Sequence, residues 1–345
     1  MSLNQFFPPL FSFLLTLIGI KAIRYFFPRW RLLDRPHEYG LTRQPIPYSA
    51  GIIFFIVFVI STLIFVDVTR PIAGVILAAL LIVAVSFIDD RIKLSPYLRL
   101  FTQILAGAIV VYAGVKIQII KNPFGAPIFL DSFKFQILGQ EIWALGAVVI
   151  IAWLVLMMNV MNWLDGIPGL ASGISTIAQI SIFILSARQF NIVDQSAIIA
   201  ISSVLAASTL AFLFFDFHPP KILMGDTGSM FLGFMLGALS ILAGGKLATA
   251  LLIMGFPVID AFWVIIRRIL KGGSPMKGDF FHFHHRLLNV GFSQRKALLF
   301  NYFFCGLFAA VALFLSSTLA KFIAFLGVLV AMAIIGALTF LKSKK

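Results

Sequence analysis

The fold class predicted for this chain is an all-α, polytopic membrane helix bundle that crosses the bilayer about eleven times. Three observations carry that reading: 61% of its 345 residues are hydrophobic, only 12% are charged, and the mean hydropathy is +1.04. Soluble domains average roughly half apolar residues and about a quarter charged ones. Apolar runs of about 20 residues match the hydrocarbon thickness when helical, and a helix satisfies its backbone hydrogen bonds internally. No stretch between the runs is long enough to bury its own core, so residues 1–345 read as a single transmembrane domain.

The runs fall near 6–27, 49–67, 71–88, 100–120, 142–160, 168–187, 195–215, 229–245, 247–267, 298–317 and 321–341. The first lacks a basic start and a small-residue cleavage site, so it reads as a retained span and not as a signal peptide. Basic residues set the orientation. An external N-terminus places 20 of the 27 Lys and Arg in inner segments near 21–48, 89–99, 159–168, 216–228, 267–297 and 342–345. Only Arg70, Lys116, Lys121, Lys134, Arg188, Lys246 and Lys321 are left outside. The positive-inside rule therefore predicts an external N-terminus and a cytoplasmic C-terminus.

The same arrangement sorts the acids. Asp34, Glu38, Asp89, Asp90, Asp165, Asp216, Asp226, Asp260 and Asp279 fall inside, against Asp67, Asp131, Glu141 and Asp194 outside. Solubility does not require carboxylates beside basic span ends, so one face is expected to hold a site. The net charge of +14 serves topology and attraction to anionic lipid headgroups. No nucleic-acid-binding module is recognisable, so membrane lipids and not nucleic acid are the expected partners. The single Cys305 excludes a disulfide framework and a cysteine metal site, and it reads as a core residue. Of the outer loops only 121–140 is patterned: Ile128-Phe129-Leu130 and Phe133-Lys134-Phe135 alternate as in a short hairpin.

Each inner segment holds candidate site residues. In the first, Pro36, Pro45 and Pro47 impose extended or turn geometry, and Arg35 and Arg43 suit either a phosphate or the membrane interface. The second begins Asp89-Asp90-Arg91. Adjacent helical residues point about 100° apart, so the two acids serve different partners: one faces a metal or nucleophile, the other positions Lys93 or another neighbour. Capping is a weak alternative, because acids favour helix N-termini and this is a C-terminal end.

The third segment is Asn159-Val160-Met161-Asn162-Trp163-Leu164-Asp165-Gly166-Ile167-Pro168-Gly169. If the helix continues past Met158, Asn159, Asn162 and Asp165 recur every three residues along one ribbon of its surface. A polar cap at the membrane boundary is the plain alternative. Three aligned polar groups exceed what a cap needs, so they read as a site wall. In the fourth, Lys221 precedes Met224-Gly225-Asp226-Thr227-Gly228-Ser229. The glycines suggest a tight turn with exposed amides, a helix starting near Ser229, and an anion facing its positive end. Asp226 offers hard oxygen to magnesium. The fifth contains Phe281-His282-Phe283-His284-His285-Arg286. Zinc is the rival there, but these histidines lack a cysteine or a well-placed fourth ligand, and contact with phosphate is the preferred reading.

Taken together, Asp89-Asp90, Asn159-x-x-Asn162-x-x-Asp165-Gly166, Met224-Gly225-Asp226-Thr227-Gly228-Ser229 and His282-x-His284-His285-Arg286 resemble, in order, the motifs of the polyprenyl-phosphate N-acetylhexosamine-1-phosphate transferase family. Its bacterial members initiate O-antigen, teichoic-acid and peptidoglycan lipid intermediates. Leu94-Ser95-Pro96 and Gln103 extend the likeness. The resemblance implies transfer of a sugar 1-phosphate from a UDP-N-acetylhexosamine to undecaprenyl phosphate, with release of UMP. It also implies Mg2+ (or Mn2+), a cytoplasm-facing site in the bacterial inner membrane, and a tendency to form homodimers.

The His-x-His-His-Arg form is similar to the branch using UDP-GlcNAc or a related UDP-N-acetylhexosamine, whereas the muramoyl-pentapeptide branch shows consecutive histidines followed by Phe. Three departures stand out. Pro168 replaces a common Asp, Asp216 stands where Asn is usual, and Tyr39 and Thr42 replace the usual basic residues of the first loop. The implied roles are catalysis by Asp89, Asp90, Asp165 and Asp226, with metal on Asp226 and Asp165. Substrate contacts fall to Asn159, Asn162, Lys93, Lys221, Asp216, His282, His284, His285 and Arg286. Direct attack and a covalent aspartyl intermediate both remain open. A lipid-linked sugar transporter is the rival class, but transporters gather polar residues near the bilayer midplane within repeats, and no repeat is evident here.

Overall fold

The structure, a computed structural model, describes residues 6–39, 42–190, 194–244, 247–270, 272, 282–315 and 317–343. Lys246, Asp279 and Phe281 lie outside the described residues. Each of the eleven apolar runs meets a helix or a broken pair of helices. They are α1 (Phe7–Arg29), α2 (Ile52–Phe65), α3 (Arg70–Ile92), α4 (Pro96–Tyr112), α5 (Ala144–Leu164), α6 (Leu170–Gln189), α7 (Ser196–Asp216), α8 (Gly225–Leu242), α9 (Leu247–Ile253) with α10 (Gly255–Leu270), α12 (Gln294–Phe314) and α13 (Thr318–Ser343). A short α11 (Phe283–Asn289) carries the histidine motif. Eight of the helices are long and apolar enough to cross a bilayer, and α9 and α10 meet at a bend of 79°.

Two spans are shorter than the hydropathy suggests. α2 ends at Phe65, where Val66 turns extended. α4 ends at Tyr112 and not near residue 120, because Gly114 takes a φ of +100° and turns the chain toward a strand. The expected outer hairpin is also different. Its two segments do not pair with each other. β1 (Ile119–Ile120) pairs with β2 (Ile128–Phe129), and β3 (Lys134–Ile137) pairs with β4 (Gln140–Trp143). Leu138 and Gly139 both adopt positive φ, which makes the tight turn that joins β3 to β4.

α8 is the innermost helix and packs between α3 and α5. Gly233 permits the approach, since a Cβ there would lie 2.5 Å from the Met157 carbonyl oxygen. Lipid offers no hydrophobic drive between helices, so packing of small residues and interhelical hydrogen bonds hold the bundle. Examples are Trp153 Nε1 to Ser240 at 2.9 Å, Thr16 with Ser208 at 2.7 Å, and Thr176 to Thr209 at 2.9 Å. The C-terminal ends of α3, α5 and α7 and the N-terminal ends of α4, α6 and α8 meet at one end of this bundle, where the acidic motifs fall.

Candidate active site

At the end of α3, neighbouring acids part ways. Asp89, 6% exposed, accepts the Leu94 N–H at 2.6 Å and Arg99 Nη1 at 3.3 Å. Lys93 closes the helix with a φ of 51°, and Ser95 caps α4 by accepting the Leu98 N–H at 3.3 Å. Asp90 points to α8. It accepts the Asp226 N–H at 2.9 Å, the Thr227 N–H at 3.3 Å and the Thr227 hydroxyl at 2.6 Å. The expected turn before Ser229 is therefore the first turn of α8, which begins at Gly225, and its amides receive a carboxylate from within the chain. Gly225 is required twice over, by its φ of +69° and because a Cβ would meet Asp90 Oδ2 at 2.6 Å.

α5 does run past Met158, to Leu164. Asn159 donates to Gln103 Oε1 at 2.8 Å and to the Val155 carbonyl at 2.8 Å, and Asn162 donates to Ser229 Oγ at 3.1 Å. Asp165 ends the helix. Burial, reinforced by the nearby charges of Asp216, Asp226 and Asp90, pushes its carboxyl well above the usual range. Asp216 has another employment: it accepts the Gly169 N–H at 3.0 Å and the Ser172 hydroxyl at 2.7 Å, tying α7 to the turn that opens α6. Tyr302 of α12 donates to the Gly169 carbonyl of the same turn. Lys221 Nζ sits 5.9 Å from the Phe215 ring centroid.

The histidine motif reaches the same end of the bundle. His282 and His284 stack with rings 5.8 Å apart and nearly parallel, and His282 also stacks on Trp163 at 6.1 Å. His284 is 2% exposed, and its Nε2 is buried without a hydrogen-bond partner. Burial, with His285 and His282 adding to it, holds His284 well below the ordinary histidine range. A Cβ on Gly166 would overlap His284 Nε2, so the glycine after Asp165 makes room for the ring.

Asp89, Asp90 and Asp226 open onto a cleft of about 1000 Å³. Its edge carries Arg31, Arg35, Arg91, Lys93 and Arg99. Arg99 stands between two acids, 3.3 Å from Asp89 and 3.5 Å from Asp226. The loop between α1 and α2 lines the cleft, with Asp34 clamped by Arg43 and by the Ile46 N–H at 2.8 Å. Among the described residues no three His, Cys, Asp or Glu side chains gather as a metal cage. The carboxylate oxygens of Asp226 and Asp165 and the amide of Asn162 are hard oxygen donors, which suit magnesium better than zinc. Magnesium keeps several waters and is held through one or two carboxylates together with substrate phosphates.

Three contributors were not singled out as site residues from the sequence. Arg99 lies ten residues after Asp89, and only the folding of α4 against α3 brings it back. Thr227 sat in view between two glycines. Asp260, on the broken helix α10, meets His282 only in three dimensions.

Fold and cleft together define a multi-pass membrane protein whose chemistry-bearing side chains converge at one end of its helices. A family model for glycosyl transferase family 4 matches residues 72–244, which run from α3 to just beyond α8. The chain is 30% identical over 344 residues to a probable undecaprenyl-phosphate N-acetylglucosaminyl 1-phosphate transferase of Bacillus subtilis, covering 97% of this chain and 92% of that protein. It is 32% identical over 337 residues to a decaprenyl-phosphate N-acetylglucosaminephosphotransferase of Mycolicibacterium smegmatis, covering 86% and 80%. An undecaprenyl-phosphate alpha-N-acetylglucosaminyl 1-phosphate transferase of Yersinia pestis is 26% identical over 84% of the chain and 78% of its own length. The chain belongs to glycosyl transferase family 4, among its polyprenyl-phosphate N-acetylhexosamine-1-phosphate transferases.

Proposed function

We propose that this protein transfers N-acetylglucosamine 1-phosphate from UDP-N-acetylglucosamine to undecaprenyl phosphate, releasing UMP, at the cytoplasmic face of a bacterial inner membrane. One observation carries the reading: the acids of α3 and the Asp226 of α8 meet in one open cleft edged by five cationic side chains. Two anionic substrates repel one another, and such an edge lowers the cost of bringing them together. An oxygen of the lipid phosphate attacks the phosphorus that carries the sugar. The bridging P–O bond of the donor breaks, and its electron pair leaves with UMP. A lipid phosphate is already largely ionised near neutral pH (second pKa about 6, as for phosphoamino acids), so the attack needs no strong base.

Asp226 and Asp165, with Asn162 beside them, would hold magnesium, which when bound neutralises the diphosphate and the charge growing on the leaving group. Arg99 and Lys93 gather phosphate oxygens at the mouth of the cleft. Asp89 orients the incoming lipid phosphate through Arg99, and Asp90 keeps the first turn of α8 in place. The concentration of Lys and Arg at the segments on this side supports a cytoplasmic cleft, with the N-terminus outside.

The test is release of UMP by the purified protein in lipid nanodiscs, with a panel of UDP-sugars. UMP should appear only with added undecaprenyl phosphate and a divalent cation, and fastest with UDP-N-acetylglucosamine. Absence of lipid-dependent UMP release with every UDP-N-acetylhexosamine would overturn the reading.

A further inference from the structure

Asp260 is a buried acid that the proposed chemistry leaves without a task. It lies on α10, the second half of the broken span, and is 5% exposed. Its two oxygens hold the start of the histidine motif. Oδ2 lies 3.0 Å from His282 Nδ1, and Oδ1 accepts the Phe283 N–H at 2.9 Å. Arg286 Nη2 stands 3.9 Å from Oδ1. One carboxylate therefore reaches three successive features of the motif: its first ring, its backbone entry into α11 and its arginine.

A carboxylate oxygen accepts, so the hydrogen of the His282 pair sits on Nδ1. The bond thereby selects the tautomer and the ring plane at once. Trp163, one residue after Asn162, stacks on the same ring at 6.1 Å and 24°. His282 is thus fixed between the broken membrane helix and the end of α5, which carries Asn162 and Asp165. A histidine held for packing alone needs no buried carboxylate, because placing a charge in such surroundings is costly unless its hydrogen bonds matter.

We propose that Asp260 is a positioning residue for the transfer reaction, setting the His282 tautomer so that Nε2 is left without a hydrogen and accepts a hydrogen bond from the substrate. This rests on the function proposed above. Asp260→Asn isolates the effect, because its amide oxygen still accepts the Phe283 N–H while its NH2 group faces Nδ1 and reverses the tautomer. Loss of a group that orients a functional histidine lowers activity by about tenfold to a hundredfold.

The experiment is a double-mutant cycle on UMP release with Asp260→Asn and His282→Ala, joined to 15N NMR of histidine-labelled protein in nanodiscs. Asp260→Asn should lower kcat about tenfold to a hundredfold with little change in melting temperature, and should add little further loss in the His282→Ala background. The His282 resonances, assigned by their absence in His282→Ala, should switch from the Nδ1–H to the Nε2–H pattern. Losses that multiply independently, or an unchanged tautomer, would overturn the proposal. If the wild-type protein released no UMP, the proposed function would fail, and the tautomer signature would then decide the Asp260 assignment by itself.

Discussion

Asp90 Oδ1 accepts the backbone N–H of Asp226 at 2.9 Å, although the two residues lie 136 positions apart. With the Thr227 N–H and hydroxyl on its other oxygen, Asp90 acts as the N-terminal cap of α8 from a different helix. The charge suits the positive helix end, while the neighbouring Asp89 is held by the Leu94 N–H and by Arg99. In an acidic pair of this kind the two members do unlike work. Asp90 anchors the start of α8, and Asp89 anchors the turn into α4.

Removing that cap should therefore act through Asp226. Asp90→Ala is expected to lower stability by about 0.5–2 kcal/mol, the range for losing a capping side chain, and to reduce turnover strongly. Thr227→Val should do both more weakly. Thermal unfolding in nanodiscs and UMP release measure the two effects. An Asp90→Ala protein with unaltered melting and full activity would show that the cap is dispensable.

Asp226→Asn keeps the shape and the backbone bond to Asp90 but loses the charge facing Arg99. Turnover should vanish at every magnesium concentration while expression and melting stay near normal. Near-normal activity would take Asp226 out of the reacting centre.

Gly166 makes room for His284. Gly166→Ala should abolish activity, because its methyl group would occupy the space of Nε2. Part of the melting temperature lost should return in the Gly166→Ala/His284→Ala double variant, where the collision is relieved. Failure of the second change to restore any stability would mean that the ring is not what the glycine accommodates.

His284 gives a pH dependence whose sign is set by its depressed pKa. The unfolded chain takes up a proton near the ordinary histidine value of about 6.5, while the folded one resists until lower pH. Folding stability contributed by the neutral ring is complete above that value and declines as the pH falls below it. Unfolding followed from pH 8 to pH 5 should show this slope, and His284→Gln should flatten it. An identical slope in the variant would assign the proton uptake elsewhere.

Much of the local geometry at this end of the bundle was legible because it depends on short spacings. The three-residue rhythm of Asn159, Asn162 and Asp165 needed only the helix to continue past Met158, and it does. The divergence of Asp89 and Asp90 followed from helical geometry alone. What could not be read was any relation closed by folding. The amides after Gly225 read as free for an anionic ligand, but Asp90 occupies them, and nothing in the sequence shows that Asp216 ties Gly169 to Ser172. Arg99 and Asp260 were invisible as site residues for the same reason.

The amino-acid order by itself determined the membrane bundle, the places of its apolar helices and the gathering of acids at particular helix ends. These follow from runs of about 20 apolar residues and from local periodicity, which act over one or two turns. Tertiary structure alone decided which carboxylates face the cleft and which are held by backbone amides. Hydrogen bonds between α3 and α8, α6 and α7, and α10 and α11 join residues distant in the chain, and only the packed bundle brings their donors and acceptors within reach.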